Sequence, residues 1–424
     1  MIWILLAVFI ICLLLRFPIA FCLGLSCLVF LLLKGIPLIV MPMKMYSGID
    51  VFVLLSIPGF IIAGNLMNHG GLTEKIIGFC NHLIGHVRGG LALGNIGASM
   101  LFAGISGTAI SDTASIGSVM IPAMKKEGYD AAFSAAVTAS SSTVGPIIPP
   151  SVPMIIAATL SGLSVGKLFL AGALPGFLLG FSLMVLTYFI AKKRNYPKLE
   201  RSTAKQILKG FVETFWSLLM TFIILFGIIG GVFTPTEASI IAVIYAFLVG
   251  SLVYKKLTFK TTMVVILDSM KTSASLMVLI GFANLFGWIL ITEQLPQLIS
   301  SEIINFSENK YVVLLLINLL LIFVGTFMET IAALLILFPI LLKVATAVDV
   351  DPIHFAVIAL LNLMIGLTTP PLGVCLFVSS SIGKISIGKV SKAGFPFLLV
   401  SLLILTLVTL FPDLSLYLPR LFMD

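Results

Sequence analysis

The sequence predicts an all-α protein that crosses a membrane many times. Of its 424 residues, 59% are apolar and 10% are charged, whereas about a quarter of the residues in a soluble chain are charged. Apolar runs of about 17–25 residues, the first a little short, recur without the period-2 alternation of a transmembrane strand, so each predicts a spanning helix. These runs include Ile2–Leu15, Phe17–Leu33, Leu168–Ala191, Phe211–Phe233 and Gly394–Phe411.

Basic residues gather in the short loops between the apolar runs. The densest group lies in Ala191–Arg201, and a second group follows two spans later at 255–260. The positive-inside rule places both groups in the cytoplasm and the acidic turn Asp349–Asp351 on the outer side. The net charge of +8 therefore reports orientation in a lipid bilayer and is not the footprint of a protein that binds nucleic acid.

Four segments of the first half differ from plain spans. Met41–Gly48 is a polar, Met-rich connection, and Gly70–Arg88 has an apolar face that predicts an interfacial amphipathic helix. Gly89–Lys126 is broken by Ser and Gly and has positive charge at both ends, so it predicts a re-entrant hairpin that enters and leaves on the cytoplasmic side. Asp130–Gly162 contains SSTVGPIIPP and predicts a span made of two half-helices.

The second half of the chain repeats the pattern of the first. In each half an acid precedes a proline by ten residues, and a glycine precedes a Pro-Pro pair by four. The anchors are Asp112 and Pro122 with Gly145 and Pro149-Pro150, then Glu329 and Pro339 with Gly366 and Pro370-Pro371. The basic loops make Gly89–Lys126 enter from the cytoplasm and Tyr311–Ala347 from outside, so the repeats are inverted. Inverted repeats of transporters place the binding site at their interface near the membrane midplane.

Polar residues at the hairpin tips and helix breaks are candidates for that site. Ser106–Thr108 and Ser140–Thr143 offer hydroxyl and carbonyl oxygens, either to a cation or to backbone groups that Gly and Pro have freed. Asp112 and Glu329 lie in membrane-buried segments, where a carboxylate is costly. Each acid therefore either supports a binding site or caps a hairpin tip.

The sequence contains no motif of an enzyme or of a metal centre. Nucleophile elbow, Walker loop and zinc-binding helix are absent, and the four histidines and five cysteines lack the spacing of metal ligands. Glu237, three residues after Thr234, predicts a helix cap rather than a site. We therefore expect neither an enzyme nor a bound organic cofactor.

Five motifs together resemble the large membrane subunit of the tripartite ATP-independent periplasmic (TRAP) transporters, of the unfused type. They are GISGTAISDTASIG, the IPAM run at Ile121–Met124, TASSSTVGPIIPPS, GVFTPTEAS and GLTTPPLG, and the resemblance covers nearly the whole chain. It implies sodium-coupled uptake of an organic anion, usually a carboxylate, across the bacterial inner membrane. It also implies two partners, a soluble periplasmic binding protein and a small four-helix membrane subunit, with Na⁺ as the coupling ion and no other cofactor.

This family is similar in turn to the divalent-anion/sodium symporters, in which inverted repeats move a transport domain as an elevator against a scaffold. The implied division assigns scaffold helices and an arm first, then a transport part, in each repeat. Its segments are 1–50 and 51–192 for the first repeat, and 193–271, including the cytoplasmic loop, and 272–424 for the second. The arms correspond to Met41–Gly48 and Leu257–Lys271.

The resemblance also implies which residues bind sodium and substrate. The hairpin tip and helix break of the first repeat form one sodium site, with Ser106, Gly107, Thr108, Asp112, Ser141, Ser142, Val144 and Gly145. Those of the second repeat form another, with fewer side-chain ligands, from Gly325, Thr326, Glu329, Gly366, Thr368 and Thr369. The substrate is placed against Ser106, Thr108, Thr326, Pro149 and Pro370.

Three other functions fit part of the pattern. A stand-alone divalent-anion/sodium symporter would use the same repeats, an ion channel would use the same helix breaks, and an intramembrane hydrolase would use Asp112. Two opposed hairpins suit alternating access better than a continuous pore, and no paired acid or serine with a base supports hydrolysis. Sialic acids and C4-dicarboxylates are the leading substrates within the resemblance, the former slightly favoured.

Overall fold

The computed structural model describes residues 2–15, 17–106, 108–295, 298 and 309–423, and the side chains of 103–106 lie outside this description. Within these residues all regular structure is helical. Seven helices are long and apolar enough to cross a membrane, or eight if Ala131–Ile147 and Val152–Ser161, bent by 42° at their junction, count as one broken span. The predicted all-α, multi-pass architecture is confirmed.

The first repeat contains ten α-helices within the described residues. They are α1 (Ile2–Leu14), α2 (Ile19–Lys34), α3 (Val40–Ile49), α4 (Ser56–His69), α5 (Leu72–Ile84), α6 (Gly90–Ser106), α7 (Ala109–Lys126), α8 (Ala131–Ser142), α9 (Val152–Ser161) and α10 (Val165–Lys193). Pro18 directly precedes α2, and Gly35 ends it in the left-handed region with a φ of 66°. The predicted hairpin is therefore α6 with α7, and the predicted broken span is α8 with α9.

The second repeat follows the same order within the described residues. Its helices are α11 (Ala204–Ile229), α12 (Pro235–Leu248), α13 (Phe259–Thr292), α14 (Lys310–Gly325), α15 (Thr330–Ala347), α16 (Pro352–Gly366), α17 (Val374–Gly383), α18 (Ile387–Leu410) and α19 (Asp413–Met423). The hairpin α14–α15 corresponds to α6–α7, and the broken span α16–α17 to α8–α9. Glu237 and Thr234 form a reciprocal capping box at the start of α12, so the predicted cap is confirmed.

The first half-helix of each broken span lies in the buried centre of the protein. Every residue from Phe133 to Ser142 in α8, and every residue from His354 to Gly366 in α16, is buried. Both helices begin on an aspartate cap, because Asp130 and Asp351 accept hydrogen bonds from first-turn amides at 2.9 and 2.8 Å. Two corresponding elements therefore form the core around which the other helices pack.

The two repeats interlock at the helix breaks. Helix α9, which follows the first break, packs against α15 and α16 of the second repeat, while α17 packs against α7 and α8 of the first. Thr113 and Asp112 on α7 lie near Cys375 on α17. Each broken span thus reaches the hairpin of the other repeat, which is the arrangement expected of an inverted pair.

Helices α3, α4, α12 and α13 are joined closely to one another. Helix α4 packs along α12, and it also touches α13 and the hairpin helix α6, while α3 packs along α13. Between α3 and α13 the Asn284 amide donates to the Lys44 carbonyl at 2.7 Å, and a Cβ on Gly48 would lie 2.4 Å from the Asn284 Cβ. Helix α4 therefore connects the predicted transport part with elements of the predicted scaffold.

The predicted arms are helical, but the second is not a separate element. Met41–Gly48 lies within α3, whereas Leu257–Lys271 runs into the next span because α13 is unbroken from Phe259 to Thr292. Polar residues of α13 are satisfied within the helix. The hydroxyls of Ser269 and Thr272 donate to carbonyls one turn earlier, at 2.7 and 3.0 Å. The boundary predicted at 271/272 thus falls inside a single helix.

The sequence patterns did not predict the C-terminal helix α19. It packs against α10, and its buried Ser415 hydroxyl lies 2.7 Å from Nδ1 of His354 at the start of α16. This short amphipathic helix contains Pro419 and carries no spanning signal, and the last apolar run of the sequence ends at Phe411. The helix α19 therefore packs against the first turn of the central half-helix α16.

Candidate ion and substrate site

The tip of the first hairpin joins α6 to α7. Thr108 has extended backbone angles and caps α7, since its Oγ1 accepts a hydrogen bond from the Ser111 amide at 3.3 Å. Asp112 lies in the first turn of α7 and is fully buried, where the positive end of the helix dipole favours a carboxylate. Gly107 and the side chain of Ser106 lie outside the described residues.

The first helix break carries a dense set of buried hydroxyls. Ser141 donates to the Thr138 carbonyl at 3.1 Å, and Ser142 donates to the same carbonyl at 2.8 Å. A hydroxyl that donates its proton keeps lone pairs on the oxygen. The oxygens of Ser141 and Ser142 can therefore still be ligands of a cation.

Proline removes backbone donors at this break. Pro146 follows Gly145 and has no N–H, so the Ser142 carbonyl lacks the i+4 donor that a continuing helix would supply. Val144 directly precedes a single turn of 3-10 helix that begins at Gly145 and ends at Ile147. The Pro149–Pro150 peptide bond that follows is cis. The break thus places backbone oxygens and hydroxyls in the same buried region.

The second tip and the second break are in direct backbone contact. A Cβ built on Gly366, the last residue of α16, would lie 2.5 Å from the Cα of Gly325 at the tip. The Thr326 carbonyl, next to that contact, accepts a hydrogen bond from the Gly373 amide at 3.1 Å. The structure therefore brings together the tip and break that the sequence assigns to a second site.

The side chains of the second site are fewer and are committed to local hydrogen bonds. Thr326, Thr368 and Thr369 donate to carbonyls of the preceding helical turn at 2.8, 2.9 and 2.8 Å. Glu329 caps α15, since its Oε2 accepts from the Ile331 and Ala332 amides at 2.9 and 3.3 Å. Of the two roles left open for Glu329, the geometry shows the cap, while a contribution to sodium binding stays a prediction.

Two polar residues in the hairpin limb α6 contact the first helix break, and neither was named from the sequence. We call this contact region the first junction, and the Gly325–Gly366 contact the second. The Ser99 hydroxyl donates to that of Ser141 at 2.9 Å, and the Asn95 amide donates to Thr138 Oγ1 at 2.6 Å. Asn95 and Ser99 are four residues apart, so they lie on one face of the helix. A buried amide and hydroxyl at this spacing in an otherwise apolar limb was the signal available in the sequence.

The predicted substrate residues differ in their surroundings. Thr326 and Pro149 are buried, Thr108 is half-buried, and Pro370 is exposed. Among the described residues no three His, Cys, Asp or Glu side chains gather into a metal site. A cation at these junctions would therefore be held mainly by hydroxyl and carbonyl oxygens, and the substrate assignment stays a prediction.

The sequence matches one protein family over almost its whole length. The profile of the family described as "Tripartite ATP-independent periplasmic transporter, DctM component" matches residues 6–414. The chain belongs to this family. The DctM-family chain is therefore a permease component of a tripartite transporter, not an enzyme, and it resides in the bacterial inner membrane.

Named relatives agree with the assignment. The sialic acid TRAP transporter large permease protein SiaM of Vibrio cholerae is 44% identical over 380 residues, which are 90% of this chain and 89% of the relative. The C4-dicarboxylate TRAP transporter large permease protein DctM of Pseudomonas aeruginosa is 40% identical over 377 residues, 89% of this chain and 88% of the relative. The resemblance found in the motifs is confirmed, and the DctM-family chain takes part in the uptake of an organic anion.

Solved structures of other transporters share the fold. The YdaH transporter of Alcanivorax borkumensis superposes with a TM-score of 0.61 over 87% of this chain and 86% of that chain, at 15% sequence identity. MtrF of Neisseria gonorrhoeae superposes with a TM-score of 0.59 over 89% of this chain and 85% of that chain, at 12% identity. At such low identity the likeness concerns the fold alone, and it supports the predicted transporter-type architecture.

Proposed function

We propose that the DctM-family chain carries an organic carboxylate inward together with sodium ions, through an elevator movement of its transport part. The proposal rests on two junctions: the hairpin limb α6 meets the first helix break at Ser99–Ser141, and the second hairpin tip meets the second break at Gly325–Gly366. Both lie in the buried centre and gather hydroxyl or carbonyl oxygens. Broken helices of sodium-coupled transporters use unwound carbonyls in this way to coordinate the ion.

Sodium is favoured as the coupling ion by the kind of ligand that the junctions offer. Neutral oxygens dominate each junction, with one acid at each hairpin tip, Asp112 and Glu329. Such a set suits a hard monovalent cation better than a divalent one, which would favour several carboxylates. His354 is buried at the far end of α16, three turns before Gly366, and no second histidine in the sequence lies near it to form a proton relay.

An elevator movement fits the way in which the helices are joined. The interlocked helices α7, α8, α9, α15, α16 and α17 would move as one body that carries both junctions. A cavity of about 370 Å³ separates part of this body from α3 and α13, and Thr159, Leu335, Lys44 and Trp288 contribute to its walls. In this proposal the segments 51–192 and 272–424 supply the moving part and 1–50 and 193–271 the scaffold, with α4 and α13 as the connections between them.

The substrate is proposed to bind between the two hairpin tips. Helices α7 and α15 begin there, and the positive end of a helix dipole favours a carboxylate. Ser106 and Thr108 would donate hydrogen bonds to the anion, Thr326 would do so by giving up its bond to the Phe323 carbonyl, and Pro149 and Pro370 would shape the walls. Relatives named as sialic acid and C4-dicarboxylate permeases make these two classes the candidates, with sialic acid slightly favoured.

Uptake by the reconstituted system tests the proposed coupling. Proteoliposomes that contain the permease and its small membrane subunit, supplied with substrate-loaded binding protein, are expected to take up substrate when an inward sodium gradient is imposed. Replacing sodium by choline and imposing an inward proton gradient should reduce uptake to the level of empty liposomes. Equal uptake on the proton gradient would refute sodium coupling, and saturable uptake of free substrate without the binding protein would favour the stand-alone symporter.

Two partners are proposed for the chain, a periplasmic binding protein and a small four-helix membrane subunit. Large apolar side chains such as Phe211, Phe222, Phe226 and Ile240 are exposed on α11 and α12, where either lipid or a second subunit would cover them. The tripartite family description favours a subunit.

We expect the chain and the small subunit to purify as a stable one-to-one complex. Co-expression with a tag on the small subunit only, followed by size-exclusion chromatography with mass determination, measures the ratio. As a control, the tagged subunit is expressed with an unrelated multi-pass protein. Full transport activity of the chain purified without any second membrane subunit would contradict this expectation.

A further inference from the structure

A basic groove lies at the end of the transport part that the positive-inside rule places in the cytoplasm. It has a volume of about 450 Å³ and lies between the ends of α8, α10 and α18. Its walls carry Lys193, Arg194 and Lys392, while Phe133, Ile190 and Pro396 supply apolar surface. The groove therefore combines three positive charges with an apolar floor.

Two of the three cations have no neutralising partner among the described residues. Lys193 and Lys392 are exposed, and within the described part of the chain neither makes an ion pair or a side-chain hydrogen bond. The Arg194 guanidinium lies over the Phe133 ring, with its Cζ atom 5.7 Å from the ring centroid. Its Nη1 atom lies 3.8 Å from Asp130 Oδ1. These contacts orient the guanidinium towards the apolar floor and leave a net positive charge around the groove.

The groove adjoins an exposed apolar surface of α10 and α18. Helices α10 and α18 pack against each other, and both expose large apolar side chains in the turns next to the groove, including Val185, Phe189, Phe395 and Leu399. Positive charge at a membrane–water boundary with an apolar track beside it matches both halves of an anionic phospholipid. The phosphate would meet the lysines, and an acyl chain would lie along the two helices.

We propose that this groove binds an anionic phospholipid of the inner leaflet, such as phosphatidylglycerol or cardiolipin. The site goes beyond the proposed transport function and does not depend on which ion or substrate is carried. Phe133 lies at the start of α8, whose other end bears Ser141 and Ser142. A lipid bound here therefore contacts the helix that carries the first junction and holds its cytoplasmic end at the membrane surface.

Lipid titration of paired lysine variants tests the site. The purified permease complex is stripped of lipid in detergent and titrated with dioleoyl phosphatidylglycerol or dioleoyl phosphatidylcholine, and bound lipid is counted by native mass spectrometry. Each lysine near a headgroup contributes about fivefold in affinity. The variant Lys193→Gln/Lys392→Gln is therefore expected to bind phosphatidylglycerol about 25-fold more weakly, with no change for phosphatidylcholine.

The matched control removes two lysines from the same two helices outside the groove. Lys192→Gln/Lys389→Gln makes the same change in net charge and is expected to bind phosphatidylglycerol like the wild type. An equal loss in both double variants, or none in either, would overturn the site. Competition by sn-glycerol 3-phosphate at concentrations similar to those of the lipid would also overturn it, since the groove would then recognise a free phosphate. Melting temperatures in phosphatidylcholine verify that all variants are folded.

Discussion

Alanine at Gly366 is expected to reduce transport by about a hundredfold while leaving the protein in the membrane. Its Cβ would lie 2.5 Å from the Cα of Gly325, and ordinary contacts begin near 3.4 Å, so the hairpin tip or the helix break must shift by about 1 Å. Both sides of the contact are backbone and cannot rotate away. A misplacement of about 1 Å in a site that depends on geometry costs about a hundredfold in rate. Initial uptake rates in proteoliposomes measure the loss.

Gly388 provides the control for this substitution. It lies in the first turn of α18, and no atom comes within 4 Å of the point that an added Cβ would occupy, so Gly388→Ala is expected to transport normally. Gly325→Ala meets the same contact from the other side, where its Cβ would lie 3.1 Å from the Gly366 Cα, and should give a smaller loss. Normal transport by Gly366→Ala would mean that the tip and the break are not held together in the working protein.

Asparagine at Asp112 is expected to weaken sodium activation by more than about tenfold, which corresponds to roughly 1.4 kcal/mol of binding free energy. The carboxylate is fully buried beside the first hairpin tip, and asparagine keeps its shape and most of its hydrogen bonds while removing the charge. If Asp112 binds sodium directly, or orients the oxygens that do, the loss appears in the sodium concentration needed for half-maximal uptake. Expression and assembly should remain near normal.

Asp268→Asn is the control for the loss of one negative charge. Asp268 is exposed on α13 and pairs with Lys271, at 3.1 Å and three residues away, so its replacement should leave sodium activation unchanged. Unchanged sodium activation in Asp112→Asn, with a loss of stability instead, would identify Asp112 as a structural cap. In that case Asp112→Asn would lower the melting temperature, and the molecules that remain folded would keep the sodium dependence of the wild type.

Local sequence patterns were sufficient for the hairpins, the broken spans and their approximate bounds. Proline and glycine act on the backbone within a turn or two, so Pro146, Pro149 and Pro150 mark the first break without reference to any other part of the chain. The capping box at Thr234 is local for the same reason. The opposite orientation of the two repeats is predicted by the positive-inside rule, which assigns each loop to one side of the membrane.

The contacts between distant parts of the chain that complete the candidate site could not be predicted from local sequence patterns. Gly325 and Gly366 are 41 residues apart in the sequence. Both positions need glycine because α14 packs against α16 there, and only the structure shows this packing. Ser99 and Asn95 lie in a limb whose other residues are apolar or small, and their partners on α8 are more than 40 residues away. The resemblance implied an arm at Leu257–Lys271, whereas α13 continues from Phe259 to Thr292, with the hydroxyls of Ser269 and Thr272 bonded to carbonyls of the preceding turn.

The crossing of each broken span into the opposite repeat bears on cooperativity. Because α17 lies against α7 and α9 lies against α15, a sodium ion bound at one junction, as proposed above, would also order helices that border the other. The free energy of this coupling is the same in both directions, so an ion at the first junction strengthens binding at the second by the factor with which the second strengthens the first. If both proposed sodium ions bind, positive coupling of this kind would disfavour the transporter that holds only one of them.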